Sequence, residues 1–328
     1  MERLKIALLA GGDSPEREIA LQSAAQIEAA LDHTKYDITV IDLHHRDWHY
    51  TALDGRQWQL DKNDFSLTVD GKRKVFDYAL IIIHGTPGED GRLQGYLDMM
   101  GIPYSSCSMT SSVITFDKIT TKRTLAGRGI PLAREIFLRR GEAYDPARIV
   151  AELGLPLFVK PNANGSSFGV TKVLTAEELP AAVDAAFAQG DEILIEECIT
   201  GREMGCGILV AGGREYLFPI TEIVPKKDFF DYEAKYTAGL SDEITPAPID
   251  ESVRRELNRM TREAYRACRC SGVVRVDFIV TPEGRPYFIE LNSIPGMSAG
   301  SIVPKQVRQM GMTLGELYDL IIADTCRK

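Results

Sequence analysis

The sequence predicts an α/β fold in three parts: a helix-flanked parallel sheet over 1–106, then two α+β units over 107–196 and 197–328. Three observations carry this. Strand-like apolar runs alternate with helix-length segments through the first hundred residues, the rhythm of a parallel sheet. The 328 residues exceed one ordinary core and favour two or three domains. Beyond Cys107 the pattern changes to strands and a hairpin separated by single helices.

In the first unit, KIALLA, YDITVIDL and FDYALIIIHG read as strands, EREIALQSAAQIEAAL and GRLQGYLDMMG as helices. This makes it Rossmann-like, with its ligand edge at the strand ends. In AGGDSPEREIAL, Ser14 suits an N-cap, Pro15 the first helical position, and Glu16 the first turn, where the helix dipole favours an acid. A helix is expected around MTSSVITFDKITTKRTLAGRG. Strands follow in IPLAREIFL, LPLFVKPNANGSSFGVTKV and EILIEECI, the last two separated by the helix TAEELPAAVDAAFAQG. The third unit runs through GREMGCGILV and EYLFPITEIV, a long loop, a helix from Glu251 to about Cys270, the hairpin VVRVDFIVTPEGRPYFIELN and a final helix.

Composition narrows the function classes. The chain is 44% hydrophobic and 26% charged with net charge -9, ordinary for a soluble globular protein. It lacks the basic balance of a nucleic-acid surface and gives no reason to expect an anionic membrane as partner. No apolar run reaches spanning length and the N-terminal run is too short for a signal peptide. Cys107, Cys198, Cys206, Cys268, Cys270 and Cys326 form no CxxC pair, which suits reduced thiols and a cytoplasmic protein.

Chemistry concentrates in four places. Alternation along YFIELN puts Glu290 and Asn292 on one face and Ile289 and Leu291 on the other. A two- or four-residue hairpin loop would add Arg275 and Asp277 to the polar face, and a slip of one residue would reverse this. Two carboxylates and an amide oxygen suit Mg²⁺ bound with substrate phosphates, and Arg275 could neutralise charge on a transferred phosphoryl group. A solvated edge hairpin would read the same way. Lys160 ends an apolar strand before a loop with Gly165, Ser166, Ser167 and Gly169, whose amides could approach a polyphosphate, although GxxxxGK[ST] is absent. Glu196, Glu197 and Glu203 could accept from an adenine amino group or ribose hydroxyls, as could solvated acids from water. Finally, the loop at about 225–243 carries Phe229, Phe230, Tyr232, Lys235 and Tyr236 and is long enough to expect a lid. Gly11 and Gly12 with Asp42 do not make a dinucleotide site without GxGxxG.

Eight segments, GGDSPEREIALQS, HGTPGEDGRLQGYLDMMGIPY, FDKITTK, VKPNANGSSFGV, ILIEECITGRE, FFDYEAKY, RVDF and ELNSIPGMSAGSIVP, occur in an order and spacing that resembles the D-alanine–D-alanine ligases of the ATP-grasp superfamily. The resemblance implies a three-domain ATP-grasp architecture enclosing ATP between the second and third units. It implies that ATP phosphorylates one D-alanine, that a second D-alanine attacks the acylphosphate, and that a tetrahedral intermediate releases phosphate, supplying a peptidoglycan precursor. By motif match Lys118, Lys160 and Ser167 would contact the phosphates and Glu196, Glu203 and the backbone near Glu197 and Ile199 the adenosine. Asp277, Glu290 and Asn292 would hold two Mg²⁺, for which Mn²⁺ could substitute. Arg275 and the Gly296 amide would form an oxyanion site. Glu16 would grip the first substrate's ammonium and connect through Ser166 to Tyr236, with Lys235 on the transferred phosphoryl and His84 near the reacting carboxylate. Ser301 would bind the second substrate's carboxylate beside Ile302.

The family also implies a homodimer. Tyr236 points to the dipeptide rather than a D-lactate ester, the alternative product. Ser298 and Ile302 stand where the family usually has threonine and leucine, which touches only specificity for the second substrate. A nucleotide-binding regulator without catalysis should lack a metal ligand or Arg275, and neither is missing. An NAD-dependent oxidoreductase would release no ADP.

Overall fold

The computed structural model describes residues 2–165, 169–225 and 241–326. β1 (Leu4–Gly11), β2 (Tyr36–His44) and β7 (Tyr78–Ile81) are parallel, with β1 between the other two. The expected parallel sheet is therefore present as three strands. It is extended beyond β2 by an antiparallel meander, β3 (Asp47–Thr51), β4 (Gln57–Asp61), β5 (Ser66–Val69) and β6 (Lys72–Val75), that the sequence reading does not anticipate. These strands are short and largely exposed, KRKV in β6 being the extreme, so no apolar run marks them. α1 (Arg17–Ala30) buries Ala20, Ser23, Ala24 and Ile27, one face at helical spacing, and α2 (Arg92–Met100) follows β7.

The second sheet has the order β10-β9-β11-β8, all antiparallel, from β8 (Glu135–Arg139), β9 (Leu157–Pro161), β10 (Thr171–Val173) and β11 (Glu192–Glu197). Its core joins Leu157, Val159, Ile193 and Ile195 to residues of α5 (Pro146–Leu153) and α6 (Leu179–Phe187). α5, also unforeseen, starts by local rules: Asp145 accepts from the Ala147 and Arg148 N–H groups and Pro146 opens the helix.

The third sheet runs β15-β14-β12-β16-β17, with β13 (Arg214–Leu217) also on β12; its other strands are β12 (Arg202–Ala211), β14 (Thr221–Pro225), β15 (Ser241–Ile244), β16 (Val273–Val280) and β17 (Pro286–Asn292). One helix was expected across residues 109–129. There are two, α3 (Met109–Phe116) and α4 (Lys118–Leu125), divided at Asp117, whose carboxylate accepts the Thr120 N–H at 2.8 Å as an N-cap. Packing crosses the boundaries expected from sequence. Cys107, Leu125 and Ile130 share a core with Met204, Phe278 and Leu257 of α7 (Glu251–Ala267). Val303 and Val307 of α8 (Ile302–Gln309) and Leu317 and Ile321 of α9 (Leu314–Thr325) return to the core of the first sheet.

The β16–β17 hairpin has a five-residue connection, Thr281 to Arg285, so pairing begins with Val280 opposite Pro286 and Phe278 opposite Phe288. Continued without interruption, that register would set Asp277 against Ile289. A β-bulge intervenes: Asp277 pairs with Glu290 and Arg275 with Asn292. One extra residue restores the polar register that a loop of odd length would have destroyed. It also corrects the expected placement of Ile289, which is half-buried like Glu290 and borders both cavities, while Leu291 is buried in the core.

Candidate active site

The ends of β1 and β7 supply the first wall. Gly12 takes φ +101°, and a Cβ there would lie 2.5 Å from Ile83 Cγ2, so the turn after β1 needs glycine. Ser14 is not the N-cap of α1; the helix starts at Arg17 with Glu16 at the cap position. The Ser14 hydroxyl instead donates to the His84 carbonyl at 2.7 Å and accepts the Glu16 N–H at 3.2 Å, anchoring Glu16 beside His84. Glu16 is buried and approaches the loop of the second unit: a Cβ on Gly165 would stand 3.1 Å from its Oε2.

His84 is buried at the end of the same corner. Its Nδ1 donates to the Ile294 carbonyl at 2.9 Å, which leaves Nε2 as the acceptor nitrogen, buried and without a hydrogen-bond partner among the described residues. Burial pushes the imidazole's pKa down, against the attraction of Glu16. The ring is thus a neutral acceptor.

The hairpin forms the floor. The Arg275 guanidinium grips Asp277 through two hydrogen bonds of 2.8 Å, and Asn292 Nδ2 donates to Asp277 Oδ2 at 2.9 Å. That bond turns the Asn292 carbonyl oxygen away from Asp277. Asp277 is 3% exposed and sits beneath Arg275 rather than in the cavity wall. Past Asn292 the chain bends to Gly296, where a Cβ would lie 2.8 Å from Ser301 Oγ. Ser301 is the N-cap residue of α8, and its hydroxyl shares a 2.8 Å hydrogen bond with Ser298.

These groups enclose a cavity of about 90 Å³ lined by Glu16, His84, Lys118, Arg275, Glu290, Asn292 and Gly296, among others. A water needs about 15 Å³ on this measure, so the space suits a small polar molecule. A second cavity of about 390 Å³ is lined by Lys118, Lys160, Glu196, Glu197, Ile199, Glu203 and Glu290, with apolar Phe158, Val170 and Ile279. Lys118, Asn164, Gly165, Ile289 and Glu290 border both.

The wall of the larger cavity contains a charge network that the sequence reading missed in part. Lys122 Nζ reaches Glu196 Oε1, Glu135 Oε2 and the Ala133 carbonyl, each at 2.7 Å. Lys160 Nζ takes the other Glu196 oxygen at 2.5 Å. Burial alone would raise the Glu196 pKa, but Lys160 and Lys122 outweigh it and hold the carboxylate at about 2. Lys122 was detectable: it lies four residues after Lys118 on the same helix face. Lys118 Nζ donates to the Asn164 carbonyl at 2.7 Å, and the buried Asn162 ties the start of α4 to this loop by accepting the Ile119 N–H. Glu197 is held by Arg134, Nε to Oε2 at 2.7 Å.

The first cavity and its floor therefore bring together Glu16, His84, Arg275, Asp277, Glu290, Asn292 and Gly296, and the second the expected nucleotide residues that are described. Ser301 and Ile302 lie behind Gly296 at the start of α8. Ser166, Ser167, Lys235 and Tyr236 fall outside the described residues. Among the described residues no three His, Cys, Asp or Glu side chains form a metal cluster. Of the candidate metal set, Glu290 and Asn292 line the cavity, while Asp277 lies beneath Arg275 with both carboxylate oxygens hydrogen-bonded; the three are hard oxygen donors of the kind that Mg²⁺ takes together with phosphates and water.

Two family descriptions match the chain: "D-ala D-ala ligase N-terminus" over residues 5–107 and "D-ala D-ala ligase C-terminus" over 125–323. The chain belongs to the D-alanine–D-alanine ligase family. A D-alanine–D-alanine ligase of Phocaeicola vulgatus is 43% identical over 97% of this chain and 98% of its own length. Among solved structures, the VanG D-Ala:D-Ser ligase of Enterococcus faecalis is 31% identical with a TM-score of 0.87, covering 98% of this chain and 99% of the other. A D-alanine–D-alanine ligase of Bacillus anthracis complexed with ATP is likewise 31% identical, with a TM-score of 0.80, covering 99% and 98%. The ligase family brings the ATP-grasp fold and the use of ATP. No helix among the described residues is long and apolar enough to cross a membrane.

Proposed function

We propose that the protein joins two D-alanine molecules into D-alanyl-D-alanine with conversion of ATP to ADP and phosphate, for peptidoglycan precursor synthesis. The observation that carries the reading is the junction of the two cavities at Lys118 and Glu290. A nucleotide in the larger one and an amino acid in the smaller one would meet there.

In the first step the carboxylate of one D-alanine, its ammonium held by Glu16, attacks the terminal phosphoryl group and ADP leaves. Lys118 and Lys160 balance the phosphate charge, to which Lys235 and Ser167 would add by the family resemblance, while Glu203 and the backbone at Glu197 and Ile199 hold the adenosine. Glu196 holds Lys160 and Lys122 in that wall. In the second step the free amine of another D-alanine attacks the acyl carbon. The charge that develops on the acyl oxygen is met by Arg275 and the Gly296 N–H, and phosphate departs with one oxygen of the original carboxylate. The neutral His84 offers Nε2 as an acceptor in this cavity, adding no charge to it.

Asp277, Glu290 and Asn292 would hold Mg²⁺, two ions by family expectation with Mn²⁺ as a substitute, and the metal would supply charge neutralisation to the phosphates. Ser301, at the positive end of α8, receives the second substrate's carboxylate, with Ile302 packed behind. By the family resemblance Tyr236 would join Glu16 through Ser166 and favour the dipeptide. We assign the units 1–106, 107–196 and 197–328, a lid at about 225–243, and a cytoplasmic homodimer on the same basis.

Incubation with ATP, Mg²⁺ and D-alanine, alone or with D-serine or D-lactate, tests the assignment by mass spectrometry of products. D-alanyl-D-alanine should dominate; a predominant mixed product would move the assignment to the ester- or serine-forming relatives.

A further inference from the structure

Glu89 lines the small cavity, and no step above uses it. Its carboxyl group lies between two backbone N–H donors from different parts of the chain. Oε2 accepts from Gly85 at 2.8 Å and Oε1 from Ile294 at 3.3 Å. Ile294 is thereby held at both ends, because its carbonyl accepts the His84 Nδ1 proton at 2.9 Å. Gly85 and His84 are neighbours just past β7. Ile294 stands two residues after Asn292 and two before Gly296.

We infer that Glu89 is a positioning residue that, together with His84, clamps Ile294 to the first unit and so fixes the Gly296 N–H against a substrate held by Glu16. The inference rests on the reading of Gly296 as an oxyanion donor. Both partners of the Glu89 side chain are N–H groups, so two acceptor oxygens are required. A glutamine would set its NH₂ against one of them, and an aspartate would be too short to span both. The acid is kept despite its surroundings. Burial, with repulsion from Glu16 and Glu290, pushes its pKa up to about 8 against the pull of the two backbone donors, so near neutral pH the group is mostly the uncharged acid, and its two oxygens still face the two N–H groups. His84 is fixed by the same clamp, since its Nδ1 partner is the residue that Glu89 holds.

The test is steady-state kinetics of Glu89→Gln and Glu89→Asp beside the wild-type enzyme, with D-alanine, ATP and Mg²⁺. Outright loss of an oxyanion donor lowers kcat by about 10²–10³-fold, so displacement of the Gly296 N–H should lower it by at least about tenfold in both variants. The KM for ATP and the affinity for ADP should stay within about twofold, because only the transition state is affected. Inhibition by a phosphinate dipeptide, a tetrahedral mimic of the intermediate, should weaken by the same factor as kcat/KM. A kcat within about twofold of wild type, or a fall in kcat with undiminished phosphinate inhibition, would overturn the positioning role. A wild-type enzyme that makes no dipeptide would instead overturn the functional reading on which it rests. Should Glu89→Gln fail to fold, by circular dichroism, Glu89→Asp carries the test.

Discussion

Replacing Lys122 with methionine probes the charge network behind the larger cavity. Lys122 and Lys160 balance Glu196 and Glu135, two cations against two anions, and Lys122 uses all three ammonium hydrogens on Glu196, Glu135 and the Ala133 carbonyl. The lysines hold Glu196 at about 2 instead of the ordinary 4.5 despite its burial. At about 1.4 kcal/mol per pH unit, that difference corresponds to about 3 kcal/mol of stabilisation of the folded state. Lys122 supplies part of it beside Lys160, and its removal also strands buried acceptors, for which about 1–3 kcal/mol is typical. Lys122→Met should therefore cost about 3 kcal/mol at pH 7, read from urea unfolding, and raise the KM for ATP by loosening Lys160.

The folded-state pKa is depressed, so the stabilisation is complete above about pH 4.5 and is lost as the pH falls toward about 2. The gap between wild type and Lys122→Met should accordingly narrow below about pH 4.5. Adding Glu135→Gln restores neutrality and should recover at least about 1 kcal/mol, a coupling normal for groups in direct contact. A loss under about 1 kcal/mol at pH 7, or a gap unchanged as Glu196 protonates, would refute the reasoning.

Other outcomes are expected. Glu290→Gln should abolish ADP formation while circular dichroism stays that of wild type; retained turnover would rule out Glu290 as a metal ligand. Gly296→Ala places a methyl 2.8 Å from Ser301 Oγ and, by displacing a hydrogen bond to a charged carboxylate worth about 1.5–3 kcal/mol, should raise the KM for the second D-alanine at least about tenfold in initial-rate assays. An unchanged KM would remove Ser301 from the second substrate's site. Tyr236→Phe should slow dipeptide formation and admit D-lactate, seen as the ester by mass spectrometry; a rate and product spectrum identical to wild type would show that Tyr236 sets neither.

The central strands and main helices were legible because apolar runs and helical periodicity mark buried faces, as in β1, β7 and α1. The meander of β3 to β6 was hidden because its strands bury little. The hairpin face was foreseen only conditionally. Its polar register depends on the bulge at Ile289, which parity arguments cannot supply once the connection holds five residues. At the site, the quoted motifs contain many of the charged groups that line the cavities and also Lys122 and Glu89, but those two act through partners distant in sequence: Glu196 is 74 residues from Lys122 and Ile294 is 205 from Glu89. Only the fold brings them together.

The most direct measurement follows the carboxylate oxygens. D-alanine labelled with ¹⁸O in both carboxylate positions is turned over with unlabelled ATP, and the phosphate released is analysed by mass spectrometry. Activation through an acylphosphate predicts one ¹⁸O in phosphate for each D-alanyl-D-alanine formed. Dipeptide formation with unlabelled phosphate would contradict direct phosphorylation of the carboxylate at the junction of the two cavities.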